Sequence, residues 1–254
     1  MELNCIYNMD CLEGMKDIPD GSVDMVLCDL PYGTTSNSWD SIIPFDKLWE
    51  AYNRICKDNA AIVLTASQPF TSALVMSNPK MFRHEWIWIK NQGSNFANTV
   101  REPFKEHEEV LVFSKGGWTY NPEMQERAES GKGRVQYNVK FNSNSTNYRE
   151  FDCRDINRRP ELRVPSSWQV FNRETGLHPT QKPVNLFRYL IRTYSNEGDT
   201  ILDNCMGSGT TAVAAVLENR KFIGFEINKE YFEKANARLR ELTGPFKMFG
   251  DIGI

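Results

Sequence analysis

The chain has 254 residues, with 30 Lys+Arg against 33 Asp+Glu and a net charge of -3; it can hold one large α/β domain with an insertion, and its bulk charge does not mark a nucleic-acid binder. The six cysteines form no Cys-x-x-Cys pair, and His84, His107 and His178 stand far apart, so no metal site is expected and the thiols read as reduced. The N-terminal "MELNCIYNMD" lacks a basic segment followed by an apolar one, and no run nears ~18 apolar residues, so a cytoplasmic protein without membrane contact is expected.

In chain order, runs rich in β-branched and aromatic residues predict seven strands, at 4–9, 23–30, 60–66, 85–90, 108–115, 200–204 and 221–227. Between them, Phe45, Leu48, Trp49, Tyr52 and Ile55 recur at helical spacing over 45–58, and another helix is predicted over 184–194. Alternation of this kind predicts an α/β fold, a mostly parallel sheet with helices on both faces. The runs 85–90 and 108–115 have no helix between them and are expected to form an antiparallel edge.

Residues 115–177 break the alternation. They are rich in Ser, Asn, Gly and Arg and carry a net charge of +3, against -6 for the remainder. The segment therefore reads as an insertion into a core made of 1–114 and 178–254. One reading of it is a solvated loop with ordinary surface charge. The other is a small basic module in which Trp118, Tyr120, Tyr137, Phe141, Tyr148 and Trp168 are interleaved with cations, suited to phosphates and base faces.

The segment "DTILDNCMGSGTTAVAAVLENRKFIGFEIN" (199–228) orders a strand, a glycine turn, a small-residue helix and a second strand. Glycines in such a turn let backbone approach a ligand, and an acid after the next strand reaches ribose hydroxyls. Asp203 and Glu226, 23 residues apart, hold those positions. Ala212 stands where a dinucleotide motif has its third glycine, and Asp203 precedes the turn, so the pocket suits a ligand without a pyrophosphate. S-adenosylmethionine, a cationic adenosine, is such a ligand.

Together with "DLPYG" (29–33) and "HPTQKP" (178–183), the cofactor segment "DNCMGSGTT" (203–211) resembles the motif set of the β-subclass amino-group DNA methyltransferases, in that family's order. The resemblance implies a Rossmann-like methyltransferase fold with a seven-stranded mixed sheet, circularly permuted motif order and residues 115–177 as an inserted target-recognition region. It implies that Asp29, Pro31 and Tyr32 form the catalytic pocket. Asp203, Gly207, Gly209 and Thr210 would line the methionine side of the cofactor, Glu226 would bind its ribose with Asn228 beside it, and Asp10 would meet its adenine edge. Thr180, Lys182 and Pro183 would close over the cofactor, with Lys182 reaching its carboxylate. The His-Glu pair in "KEHEEVLVFSK" (105–115) also matches the family pattern, without an assigned role. Leu30 and Asn204-Cys205 depart from the family's Pro and Pro-Phe, and the missing aromatic leaves cofactor packing unaccounted for.

The implied activity is site-specific transfer of methyl from S-adenosylmethionine to the 6-amino group of an adenine flipped from double-stranded DNA. Asp29 and the backbone carbonyl of Leu30 or Pro31 would accept both amine protons and free the nitrogen lone pair, while Tyr32 stacks on the base. A cytosine exocyclic-amine methyltransferase is the nearest alternative, and a glutamine-amide methyltransferase and a non-catalytic DNA-binding module of the same fold are further ones. A homodimer and a cognate restriction endonuclease come into consideration as partners. The chain has no Pro-Cys pair of the kind ring-carbon cytosine methylases use as a nucleophile.

Overall fold

The computed structural model describes residues 1–34, 40–132, 161–176 and 181–243. Its elements begin with β1 (Cys5–Tyr7), α1 (Cys11–Met15), β2 (Val23–Asp29), α2 (Phe45–Ile55), β3 (Cys56–Ala66), α3 (Phe70–Ser77), β4 (Phe82–Ile89) and β5 (His107–Phe113). After these come β6 (Gln125–Glu126), α4 (Glu129–Lys132), β7 (Leu162–Arg163) and β8 (Trp168–Val170). The chain closes with α5 (Val184–Tyr194), β9 (Thr200–Asp203), α6 (Thr210–Leu217), β10 (Lys221–Phe225) and α7 (Lys229–Thr243). Among the described residues, no helix is long and apolar enough to cross a membrane.

The chain divides into a larger unit, Met1–Asn121 with Ser167–Ile254, and a smaller one, Pro122–Ser166. In the smaller unit β6 and β7 pair antiparallel, and the Arg127 side chain donates to the Leu162 carbonyl at 2.7 Å. Residues 115–121 and 167–176, expected in the insertion, group instead with the larger unit. Trp168–Val170 adds to the sheet beside β4, and Arg83 lies 5.8 Å from the Trp118 ring centre. Tyr137, Phe141 and Tyr148 lie outside the described residues.

The large sheet has the order β1-β10-β9-β2-β3-β5-β4-β8. Strands β1, β10, β9, β2 and β3 run parallel to one another, β5 pairs antiparallel with both β3 and β4, and β8 is parallel to β4. All seven expected strands are present, and the expected antiparallel pair is β4 with β5. The sheet has eight strands because β8 joins its edge; three residues, two of them exposed, leave no alternation in the sequence to read.

Alternation along the buried strands builds two cores. Met25 and Leu27 of β2 face Leu186, Phe187 and Leu190 of α5 and Ala212 of α6, while Val26 and Cys28 face Met15 of α1, Leu48 and Tyr52 of α2 and Phe70 of α3. Each fully buried Leu or Phe stabilises the fold by about 1.5–3 kcal/mol, so the register of β2 is fixed from both faces. The connection from β2 through α2 to β3 winds one way from the centre, and that from β9 through α6 to β10 winds the other. The switch point lies between β2 and β9, where open α/β sheets bind ligands at the carboxyl ends of their strands.

Candidate active site

A cavity of about 630 Å³ opens at this edge, bordered by Asp10, Asp29, Pro31, Tyr32, Lys182, Asp203, Gly207, Thr210 and Glu226. Pro183, Gly209 and Asn228 stand outside its lining, and Thr180 is not among the described residues.

Asp29 ends β2, in register with Thr65 of β3. Its Oδ1 accepts the Thr65 hydroxyl and, at 2.8 Å, the Tyr32 hydroxyl. Its Oδ2 accepts from Lys182 Nζ at 2.8 Å. A carboxylate oxygen takes two donors, so Oδ1 is saturated and Oδ2 keeps one acceptor site for a further N–H. Pro31 holds the turn at fixed φ, and the Tyr32 ring stacks on Phe70 with centres 5.0 Å apart. Burial, with Asp29 and Glu108 adding to it, pushes the Tyr32 phenol well above its ordinary value, so it remains a neutral donor. Beyond the turn, the Asp40 carboxylate accepts from the backbone of Gly33 at 2.8 Å and Thr34 at 3.0 Å.

Lys182 is the centre of a buried charge cluster. Besides Asp29 it meets Glu108 Oε2 at 3.2 Å, and Glu108 Oε1 accepts from Lys90 Nζ at 2.9 Å. The sheet explains the meeting: β5 runs antiparallel to β3 and β4, so its first residues stand beside the last residues of β4, with Glu108 in register with Trp88. Burial alone would raise the Glu108 carboxyl, but Lys182 and Lys90 outweigh it and hold the group below its ordinary value. Burial likewise acts to lower Lys182, and Asp29 and Glu108 reverse the effect and raise it. In this structure Lys182 points at the acid of the β2 turn, from the wall of the cavity it shares with the glycine turn. The Thr210 hydroxyl donates to the Lys182 carbonyl at 3.3 Å, seating this residue on the glycine turn.

Asp203 ends β9 and is 3% exposed. It accepts from the Cys205 backbone at 3.0 Å and from the Thr211 hydroxyl. Burial nevertheless raises its carboxyl to about 7. Gly207 adopts φ 54°, a left-handed conformation, and donates its N–H to Glu226 Oε2 at 2.7 Å. Glu226 Oε1 accepts from the Asn228 backbone at 2.7 Å, so one carboxylate ties the glycine turn to the end of β10 with one acceptor site left on each oxygen. Asp10 borders the cavity while its Oδ1 caps α1 through Leu12 and Glu13 at 2.8 and 3.1 Å.

Three expected cofactor residues act behind this surface. Gly209 precedes α6 at φ 83°, and a Cβ there would stand 3.0 Å from Ala235 Cβ of α7, so its glycine permits helix packing. The Asn228 side chain caps α7, accepting from Glu230 at 2.9 Å, and Pro183 precedes α5 in extended conformation.

The departure at Asn204-Cys205 has a structural account. Buried Asn204 accepts from the Tyr52 hydroxyl at 2.5 Å, and its amide approaches Cys11 Sγ at 3.7 Å and Cys205 Sγ at 3.5 Å. A cluster of small thiols and a polar bridge to α2 fill this place under the glycine turn. Lys90 and Thr65 carried no signal of a role in the sequence, because their place depends on strand register, and Tyr52 read only as an apolar position of its helix; Glu108 lay within the His-Glu pair that had none assigned.

An acidic turn and a glycine turn facing one cavity from the two halves of a switched sheet are the arrangement of a methyltransferase acting on an exocyclic amine. A family model described as DNA methylase matches residues 23–237, and the chain belongs to that family. Type II methyltransferase M1.MboII of Moraxella bovis is 28% identical over 260 residues, covering 95% of this chain and 98% of that protein. DNA adenine methyltransferase YhdJ of Escherichia coli K12 is 28% identical over 256 residues, covering 94% and 83%. A solved structure described as the M1.HpyAVI-SAM complex superposes with a TM-score of 0.59 at 26% identity, covering 92% of this chain and 98% of that one.

Proposed function

We propose that this DNA methyltransferase, whose methyl donor is S-adenosylmethionine, modifies the 6-amino group of an adenine flipped from a specific site in double-stranded DNA. The observation that carries the reading is Asp29, whose Oδ2 keeps one acceptor site open on the cavity it shares with the glycine turn. An acid in that place, where cytosine-amine enzymes often have Ser, supports adenine, as does the adenine specificity named for the relative from E. coli.

The residues fit the cofactor. Asp203, raised to about 7 by burial, gains from a cation beside it, and Glu226 retains acceptor sites for ribose hydroxyls. When bound, S-adenosylmethionine supplies an electrophilic methyl on a cationic sulfur. Gly207, Asp203 and Glu226 would hold it, while Asp10 borders the same cavity. Toward the acceptor, Asp29 takes one amine proton as a hydrogen-bond acceptor and the Leu30 or Pro31 carbonyl takes the other. This pulls the nitrogen toward a tetrahedral shape and frees a lone pair otherwise delocalised into the ring. Lys182 holds the Asp29 carboxylate in position, and Tyr32 fixes its other oxygen. Holding both reactants at one sheet edge supplies orientation.

Residues 115–177, with the smaller unit at their centre, are proposed to read the target sequence, and their net charge of +3 supports a salt-dependent grip on phosphates. The test of the whole reading is methyl transfer by Asp29→Ala, with cofactor binding measured separately. Lost transfer with retained binding is expected, and retained transfer sinks the assignment. Mass spectrometry of nucleosides from the modified DNA is expected to show 6-methyladenine, and methylcytosine in its place would overturn the choice of base.

A further inference from the structure

The connection between β4 and β5 is an ordered loop that holds apolar side chains out in water. Its two ends border the cavity through Ser94 and Lys105. Between them Phe96 is 82% exposed and Val100 is 86% exposed. The loop is braced from within: Asn95 donates to Glu102 at 3.0 Å and to the Pro103 carbonyl at 2.9 Å, and accepts from the Lys105 backbone at 2.7 Å. Ser94 donates to the Lys105 carbonyl at 3.2 Å, closing the base, and a 3-10 turn over Phe96–Asn98 forms the tip. The Phe104 ring packs on Gly93, where a Cβ would stand 2.7 Å away.

Exposing a phenylalanine and a valine forgoes about 1.5–3 kcal/mol of burial for each. A loop fastened at both ends yet presenting these side chains at its tip is built to bury them against something else. Phe96 is two residues from Ser94, so its Cα lies within about 7 Å of the cavity wall.

We infer that Phe96, with Val100 beside it, is a wedge that enters the base stack of duplex DNA and fills the gap left by the flipped base. The inference rests on the proposed function, which requires a base to leave the helix. Extruding a base exposes the faces of its former neighbours and costs a few kcal/mol of unstacking. An aromatic ring inserted there restores stacking, as apolar wedges do in proteins that kink DNA. The loop carries Arg101 and Lys105 against Glu102 and Glu106, so its contribution is apolar contact and not net charge.

The experiment compares the full-length protein with Phe96→Ala and Phe96→Trp, using duplex genomic DNA from a host without DNA methyltransferases and a radiolabelled methyl donor. Phe96→Ala is expected to slow transfer about tenfold or more, with cofactor affinity, melting temperature and oligomeric state unchanged. Phe96→Trp is expected to keep transfer near the original rate and to show indole emission quenched on adding duplex, beyond the change in the original protein. Equal transfer by Phe96→Ala and the original protein overturns the wedge alone. So does loss of transfer together with loss of a dimer, which makes the tip an interface between copies of this chain. An original protein that transfers nothing to the duplex overturns the proposed function and the wedge with it.

Discussion

Cofactor affinity should rise with pH through neutrality, because Asp203, the acid that ends the strand leading into the glycine turn, is held half-protonated there. Asp203 is buried, and its three-per-cent exposure leaves water little part in stabilising its charge, so its carboxyl sits at about 7. A cation seated beside it favours the ionised form, so binding releases a proton wherever the free protein holds one. With that midpoint the acid is about one-tenth ionised at pH 6 and nine-tenths at pH 8, and affinity for S-adenosylmethionine should rise about tenfold across the interval. The same group sets a stability slope of known sign. Its folded value lies above the ordinary carboxylate range, so the folded chain binds the proton more tightly than the unfolded one; this stability is complete in acid and is lost as pH rises through about 7. Isothermal titration of the cofactor at several pH values, on the original protein and on Asp203→Asn, measures the effect. The substitution should flatten the profile, and a flat profile in the original protein, or an unchanged slope in the variant, refutes the reasoning.

Two further outcomes follow from the packing around the cavity. Lys182→Met removes the cation shared by Asp29 and Glu108 and should cost about 3–5 kcal/mol in denaturant unfolding, since it strands partly buried carboxylates; a loss below about 1 kcal/mol would show that the cluster is not held as described. Gly209→Ala places a side chain at φ 83° against Ala235 of α7 and should lower the melting temperature by several degrees, for a loss of about 1–3 kcal/mol. An unchanged transition would mean that α7 packs differently.

Seven strands of the sheet were legible because each repeats β-branched or aromatic residues over a run long enough to show a period. Trp168–Val170 was not, since three residues within polar surroundings carry no period and acquire strand geometry only by pairing with Ile87–Ile89. The site divides in the same way. Asp29, Asp203 and Glu226 could be found because they stand at the carboxyl ends of predicted strands, and strand ends in such sheets converge. What each side chain touches was not legible. Lys182 reaches Asp29 and Glu108 because β5 reverses direction, and Gly209 and Asn228 occupy motif positions while supporting α7 from behind the cavity wall. A motif fixes where a residue stands along the chain, whereas its contacts depend on register and helix placement.

The thiols beneath the glycine turn give the molecule a chemical clock. Cys11 is raised by its hydrogen bond with Cys205 and by burial, and burial lifts Cys28 to about 12. At Cys205 the contact with Cys11 acts downward, but Cys28 and burial outweigh it. Only a thiolate reacts with a haloacetamide, so Cys28, fully buried in β2 and outside the cavity lining, is protected while the chain stays folded around it. Its alkylation therefore counts openings of the region around β2. A bound cofactor would slow that count, and the ratio of rates would report how firmly the ligand holds β2 in the folded sheet.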